Sequence, residues 1–124
     1  MSFGTLPLGC PPNDALGCVG VIYRLVPSLP IDASGFVCQF DLYPGKEWTD
    51  GCLARGLSVG RNYEDLGKLR KRIKAMKNFK IVIALLPAEV GVIKQTGKPE
   101  HHTWWPEDNV DLPSLFAVHP SETI

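Results

Sequence analysis

The sequence predicts an α+β fold: a single domain over residues 1–124, with a mixed, strongly curved or split sheet and one principal helix. Three observations carry this. Short β-branched and apolar runs recur along the chain. One segment, residues 62–77, repeats apolar side chains at helical spacing. Twelve glycines and eleven prolines interrupt the rest, which keeps the elements short.

Residues 1–18 are rich in Gly, Pro and small polar side chains, and read as a loop or ordered arm. Residues 20–26 (Gly-Val-Ile-Tyr-Arg-Leu-Val) are β-branched and aromatic, hence a strand. Pro27 and Pro30 end it, because proline cannot donate to a sheet ladder. Residues 36–42 alternate apolar and polar and read as a second, short strand, closed by the Tyr43-Pro44-Gly45 turn. Residues 53–59 read as a third. Residues 62–77 form the helix. Asn62 suits its N-cap, and Glu64 and Asp65 suit the positive end of its dipole. Leu66, Leu69, Ile73 and Met76 fall on one face, and Gly67 costs about 1 kcal/mol relative to alanine. Residues 80–86 are a continuous apolar run, read as a central, buried strand. Residues 87–89 start a turn, residues 91–95 form another strand, and Thr96-Gly97-Lys98-Pro99 turns the chain so that residues 101–105 pair back. Residues 107–124 read as an irregular tail.

The charge is balanced, with 13 basic and 13 acidic residues, so no global pull toward nucleic acid or an anionic membrane is expected. Locally, residues 61–80 hold eight basic side chains against Glu64 and Asp65. No apolar stretch approaches the roughly 18 residues of a membrane helix, and the amino terminus has no signal-peptide pattern. The four cysteines show no C-x2-C pair, so no metal site is expected, and reduced thiols in a cytoplasm are the default.

Three polar islands interrupt the apolar strands. Arg24, beside Tyr23, shares a strand face with Ile22 and Val26; a guanidinium there is either paired for structure or lines a cleft that takes pyrophosphate or carboxylate. Ser58 sits in Gly56-Leu57-Ser58-Val59-Gly60, the spacing of a nucleophile elbow without the strand–turn–helix context of an α/β-hydrolase. His101 and His102 precede Trp104 and Trp105. On a strand the two histidines face opposite ways, so they do not share a metal. His102 is preferred to His101 for a cleft, because Trp104 shares its face and could stack on an aromatic ring.

In the order Tyr23-Arg24, Leu57-Ser58-Val59 and late histidine, the chain resembles small bacterial proteins akin to type VI secretion toxins with an ADP-ribosyltransferase-like fold. The resemblance spans roughly residues 20–106 through motifs of two to four residues. It implies an NAD-dependent transferase or toxin module, in which Arg24, with Tyr23 and Trp104, binds the cofactor, and Ser58 with His102 or His101 is catalytic. It also implies an antitoxin or immunity protein as partner and delivery to a target cell's cytoplasm. The chain departs from that family in having no E-x-E or Q-x-E pair; Glu100 and Glu107 are the nearby glutamates. The alternative is a non-enzymatic binding protein that meets nucleic acid or an acidic partner through Arg70, Lys71 and Lys74 of the basic helix.

Overall fold

The computed structural model describes residues 1–122, a single α+β domain with two antiparallel sheets. One sheet has the order β1-β5-β6-β3, from Leu16–Gly17 (β1), Gly91–Gln95 (β5), His102–Pro106 (β6) and Leu57–Val59 (β3). The other has the order β2-β4-β7, from Gly20–Val26 (β2), Lys80–Leu86 (β4) and Ala117–Val118 (β7). The split is as expected, but every strand pair is antiparallel, so the sheet is not mixed. The two sheets touch where Tyr23 and Gly60 exchange two 2.9 Å backbone hydrogen bonds.

β2 and β4 pair over their full lengths, Gly20 opposite Leu86 and Val26 opposite Lys80. Their alternation makes two cores. Ile22, Val26, Val82, Ala84 and Leu86 face the larger one, which Leu57, Val59, Trp104 and Phe116 complete from the other sheet and the C-terminal segment. Leu25 and Ile81 face the opposite way and pack against Leu66, Leu69 and Met76.

The principal helix, α3 (Tyr63–Arg72), is capped by Asn62, whose Oδ1 accepts from the N–H groups of Glu64 and Asp65. It ends earlier than expected. Ile73 is extended and half out in solvent, and Lys74–Met76 form a separate turn of 3-10 helix that feeds β4. The extended Ile73 ends the helix, and the 3-10 turn, followed by the Phe79 N–H donating to the Met76 carbonyl, redirects the chain into β4.

Three other expectations are corrected. Residues 36–42 are not a strand: a 3-10 turn over Ala33–Phe36, capped by Asp32, leads into a short helix, α1 (Gln39–Leu42). Residues 53–55 belong to α2 (Gly51–Arg55), because Asp50 accepts from the N–H of Leu53 and starts a helix there. The tail is not irregular as far as it is described: α4 (Leu112–Leu115) and β7 carry Phe116 into the core, against Phe36 and Trp104. The part of that tail at residues 123–124 lies outside the described residues.

The cysteines are not all reduced. Cys10 and Cys52 form a disulfide that ties the amino-terminal arm to α2, leaving Cys18 buried and Cys38 half-buried as free thiols. Among the described residues, no helix is long and apolar enough to cross a membrane.

Candidate functional site

The site grows out of the β5–β6 hairpin. Residues 96–101 form its loop, with Gly97 at a positive φ of 66° that favours glycine. The Gln95 amide donates to the carbonyls of Gly97 and Lys98, at 3.2 and 2.7 Å, and fixes the loop from inside. The loop brings His101 back beside Thr96, whose N–H donates to the His101 carbonyl.

The imidazole is held at both nitrogens. Nδ1 lies 3.0 Å from the Thr96 carbonyl oxygen and 3.0 Å from Thr96 Oγ1. A carbonyl can only accept, so in the neutral ring Nδ1 carries the proton and Nε2 presents a lone pair. Nε2 sits 3.1 Å from Ser58 Oγ, which therefore donates to it. Thr96 Oγ1 continues the network to Thr103 Oγ1 at 2.7 Å.

Register places Ser58 there. β3 pairs with β6 so that Ser58 stands opposite Thr103, while its neighbours Leu57 and Val59 are buried in the main core. Strand alternation then turns the Ser58 hydroxyl outward, and it is exposed. Gly56 permits this approach, because a Cβ there would collide with the side chains of Thr103 and Trp105.

Arg24 reaches the same residue from behind. Its side chain lies on the core face of β2 with Ile22 and Val26, 5.8 Å from the Phe36 ring centre. Nε donates to the Gly35 carbonyl at 2.8 Å and Nη1 to the Ser58 carbonyl at 2.7 Å. Beyond the Tyr23–Gly60 bridge the guanidinium thus bonds the Ser58 backbone directly. Desolvation lowers its pKa to about 10, which leaves it a cation at neutral pH. Arg24 therefore meets Ser58 through the backbone, and the open cleft shared by Arg24, Ser58 and His102 is not formed.

His102 lies on the other face of β6 from Thr103. Burial lowers its pKa, and the nearby Arg61 and His101 lower it further. Its face-mate Trp104 has no exposed surface and closes the main core, so it offers no stacking wall. The preference for His102 is corrected by that alternation: the histidine that meets Ser58 is His101. The Tyr23 ring belongs to an aromatic group with Tyr63 and His119.

His101 also lines a cleft of about 200 Å³ between α3 and the hairpin loop. Val59, Leu66 and Leu69 give it apolar surface; Arg72 and Lys98 bring positive charge, and Asp65 and Glu100 negative charge. An adjoining hollow of about 340 Å³ shares Asp65, Arg72 and Glu100 and adds Lys68 and Lys71. Of the basic residues named for nucleic acid, Lys71 and Lys74 are exposed. Arg70 is not available. It turns inward to the Glu122 carboxylate and the Phe79 carbonyl. Among the described residues, no three His, Cys, Asp or Glu side chains gather as a metal ion would need.

Sequence reasoning missed Thr96, which contributes its hydroxyl and a backbone carbonyl, the latter invisible in a side-chain pattern. It also missed Glu122. Its carboxylate accepts from Arg70, from the Tyr63 hydroxyl at 2.7 Å and from the Ile81 N–H at 3.1 Å. Compared with known proteins, the chain matches no family model, no curated protein and no solved structure.

Proposed function

We propose that the protein binds NAD or a related phosphorylated ribose in the cleft between α3 and the hairpin loop, and transfers ADP-ribose from it to a macromolecule. The observation that carries this reading is the lining of that cleft. One small hollow combines apolar surface for a ring, cations for a pyrophosphate and carboxylates for ribose hydroxyls, and His101, in its wall, hydrogen-bonds Ser58. Arg72 and Lys98 hold the phosphates. Glu100 is the carboxylate for the oxocarbenium character that develops as the glycosidic bond breaks. The C–N bond to nicotinamide cleaves, the acceptor oxygen bonds to the ribose carbon, and His101 Nε2 takes the acceptor's proton. Arg24 acts as a positioning residue through the Ser58 carbonyl. In a toxin module an immunity protein would cover this cleft, and the Cys10–Cys52 link suits passage through an oxidising compartment.

Calorimetric titration with NAD and with ADP-ribose tests the reading. Wild-type protein should give heat with both, and the Arg72→Ala, Lys98→Ala double variant should bind at least tenfold more weakly. Absence of heat with wild-type protein would refute it.

The binding-protein reading draws on a different observation, the row of Lys68, Lys71 and Arg72 along the adjoining hollow. It requires single-stranded or duplex nucleic acid to bind with an affinity that falls steeply with salt. Charge reversal of Lys68 and Lys71 would abolish that binding.

A further inference from the structure

We infer that Ser58 is an activated nucleophile, and that the protein cleaves small carboxylic esters without net charge through an acyl-serine. This goes beyond ADP-ribose transfer and does not depend on NAD binding. The geometry supplies a nucleophile, a base and a group that orients the base. The hydroxyl is exposed on a strand whose backbone is fixed on both sides, by β6 and by Arg24. Its oxygen lies 3.1 Å from Nε2, the nitrogen left with a lone pair in the neutral tautomer that the carbonyl 3.0 Å from Nδ1 favours. That carbonyl stands where many serine enzymes place a carboxylate. It selects the same tautomer, but without a full charge to stabilise the imidazolium. Glycines flank Ser58 two residues away on each side. The setting is a strand edge and not a strand-to-helix elbow, so the spacing arises here from packing: Gly56 makes room for Thr103, and Gly60 for Leu66.

The step balances. Ser58 Oγ attacks the carbonyl carbon as its proton moves to His101 Nε2. The carbonyl re-forms as the C–O bond to the alcohol breaks, and the alkoxide takes the proton from Nε2. Water then attacks the acyl-serine, giving a proton to Nε2, which returns it to Ser58 Oγ. Arg72 and Lys98 line the cleft beside His101 but are balanced there by Asp65 and Glu100, while Val59, Leu66 and Leu69 give it apolar surface, so it favours an ester with a small apolar acyl chain over one with a net charge.

The test is a fluorophosphonate probe with intact-mass and peptide-mass readout, followed by hydrolysis of p-nitrophenyl esters with and without a carboxylate on the acyl chain. Wild-type protein should acquire one adduct, on Ser58, and should prefer the uncharged ester. Ser58→Ala should acquire none, and His101→Ala should label about 10²–10⁴-fold more slowly. Thermal melts of each variant confirm folding, and His101→Gln takes the place of His101→Ala where the latter fails to fold. No adduct on wild-type Ser58, or a folded histidine variant that labels at the wild-type rate, would overturn the inference. The NAD titration is read separately, so either proposal can fail alone.

Discussion

Two polar clusters adjoin α3, one through Tyr63 and Arg70 and one through the cleft that His101 lines, and they end differently. In the first, Tyr63, Arg70 and the Ile81 N–H all donate to Glu122, whose side chain is only 5% exposed. Both carboxylate oxygens have protein partners, and the cluster is closed. In the second, Thr103, Thr96, His101 and Ser58 form a chain of hydrogen bonds that runs from a buried threonine to an exposed hydroxyl. A closed network stabilises the fold and has little spare capacity. A network that ends at the surface is held equally well but keeps a reactive group available. The closed cluster is therefore assigned to stability, and the open one is the candidate for chemistry.

The first cluster should dominate stability. Burial on its own would raise the Glu122 pKa, but the hydrogen bonds from Arg70, Tyr63 and Ile81 outweigh it and hold the carboxyl at about 2, against an ordinary 4.5. A depressed carboxylate stabilises the fold fully above its unfolded pKa, and that stability is lost as pH falls toward the folded value. Denaturant melts should therefore show on the order of 3 kcal/mol disappearing between about pH 5 and pH 2. Glu122→Gln should remove most of that dependence and cost about 2–4 kcal/mol at neutral pH, because Arg70 is left half-buried without its partner. A flat pH profile in the wild type would break the contrast between the clusters.

Arg24 sharpens it from the seam between the sheets. Arg24→Lys keeps the charge but cannot reach the Gly35 and Ser58 carbonyls together, and should cost about 1.5–3 kcal/mol. Because the lost bond sits on the Ser58 backbone, probe labelling of Ser58 should slow in this variant as well. Unchanged labelling would show that Arg24 serves stability alone. The smallest effect belongs to the site itself. Ser58→Ala removes an exposed hydroxyl and should change stability by no more than about 0.5 kcal/mol while abolishing labelling.

Much of the sheet was legible because its residues report one dominant force. The apolar runs of β2 and β4, and the turn at Gly97 between β5 and β6, have few other ways to satisfy burial and backbone hydrogen bonding. The short helices α1, α2 and α4 were not legible. Each is a turn or so long, too short for a helical period to outweigh alternation, and α2 is set by a local cap from Asp50. The Cys10–Cys52 pairing depends on where a long arm returns, which spacing does not encode. In the site, Ser58 and both histidines stood out as polar residues on apolar strands. Which histidine meets the serine was settled by the hairpin register and by a backbone carbonyl. The inward turn of Arg24 depended on carbonyls from residues 35 and 58, again without a side-chain signature.

The central claim is that His101 presents an unprotonated Nε2 to the Ser58 hydroxyl because the Thr96 carbonyl holds the proton on Nδ1. Long-range proton–nitrogen NMR correlation on imidazole-labelled protein reads this directly. In the neutral ring of His101 the expected pattern is a protonated Nδ1 and a bare Nε2 whose nitrogen shift moves in Ser58→Ala. A proton on Nε2, or an Nε2 resonance indifferent to loss of the serine hydroxyl, would contradict the account.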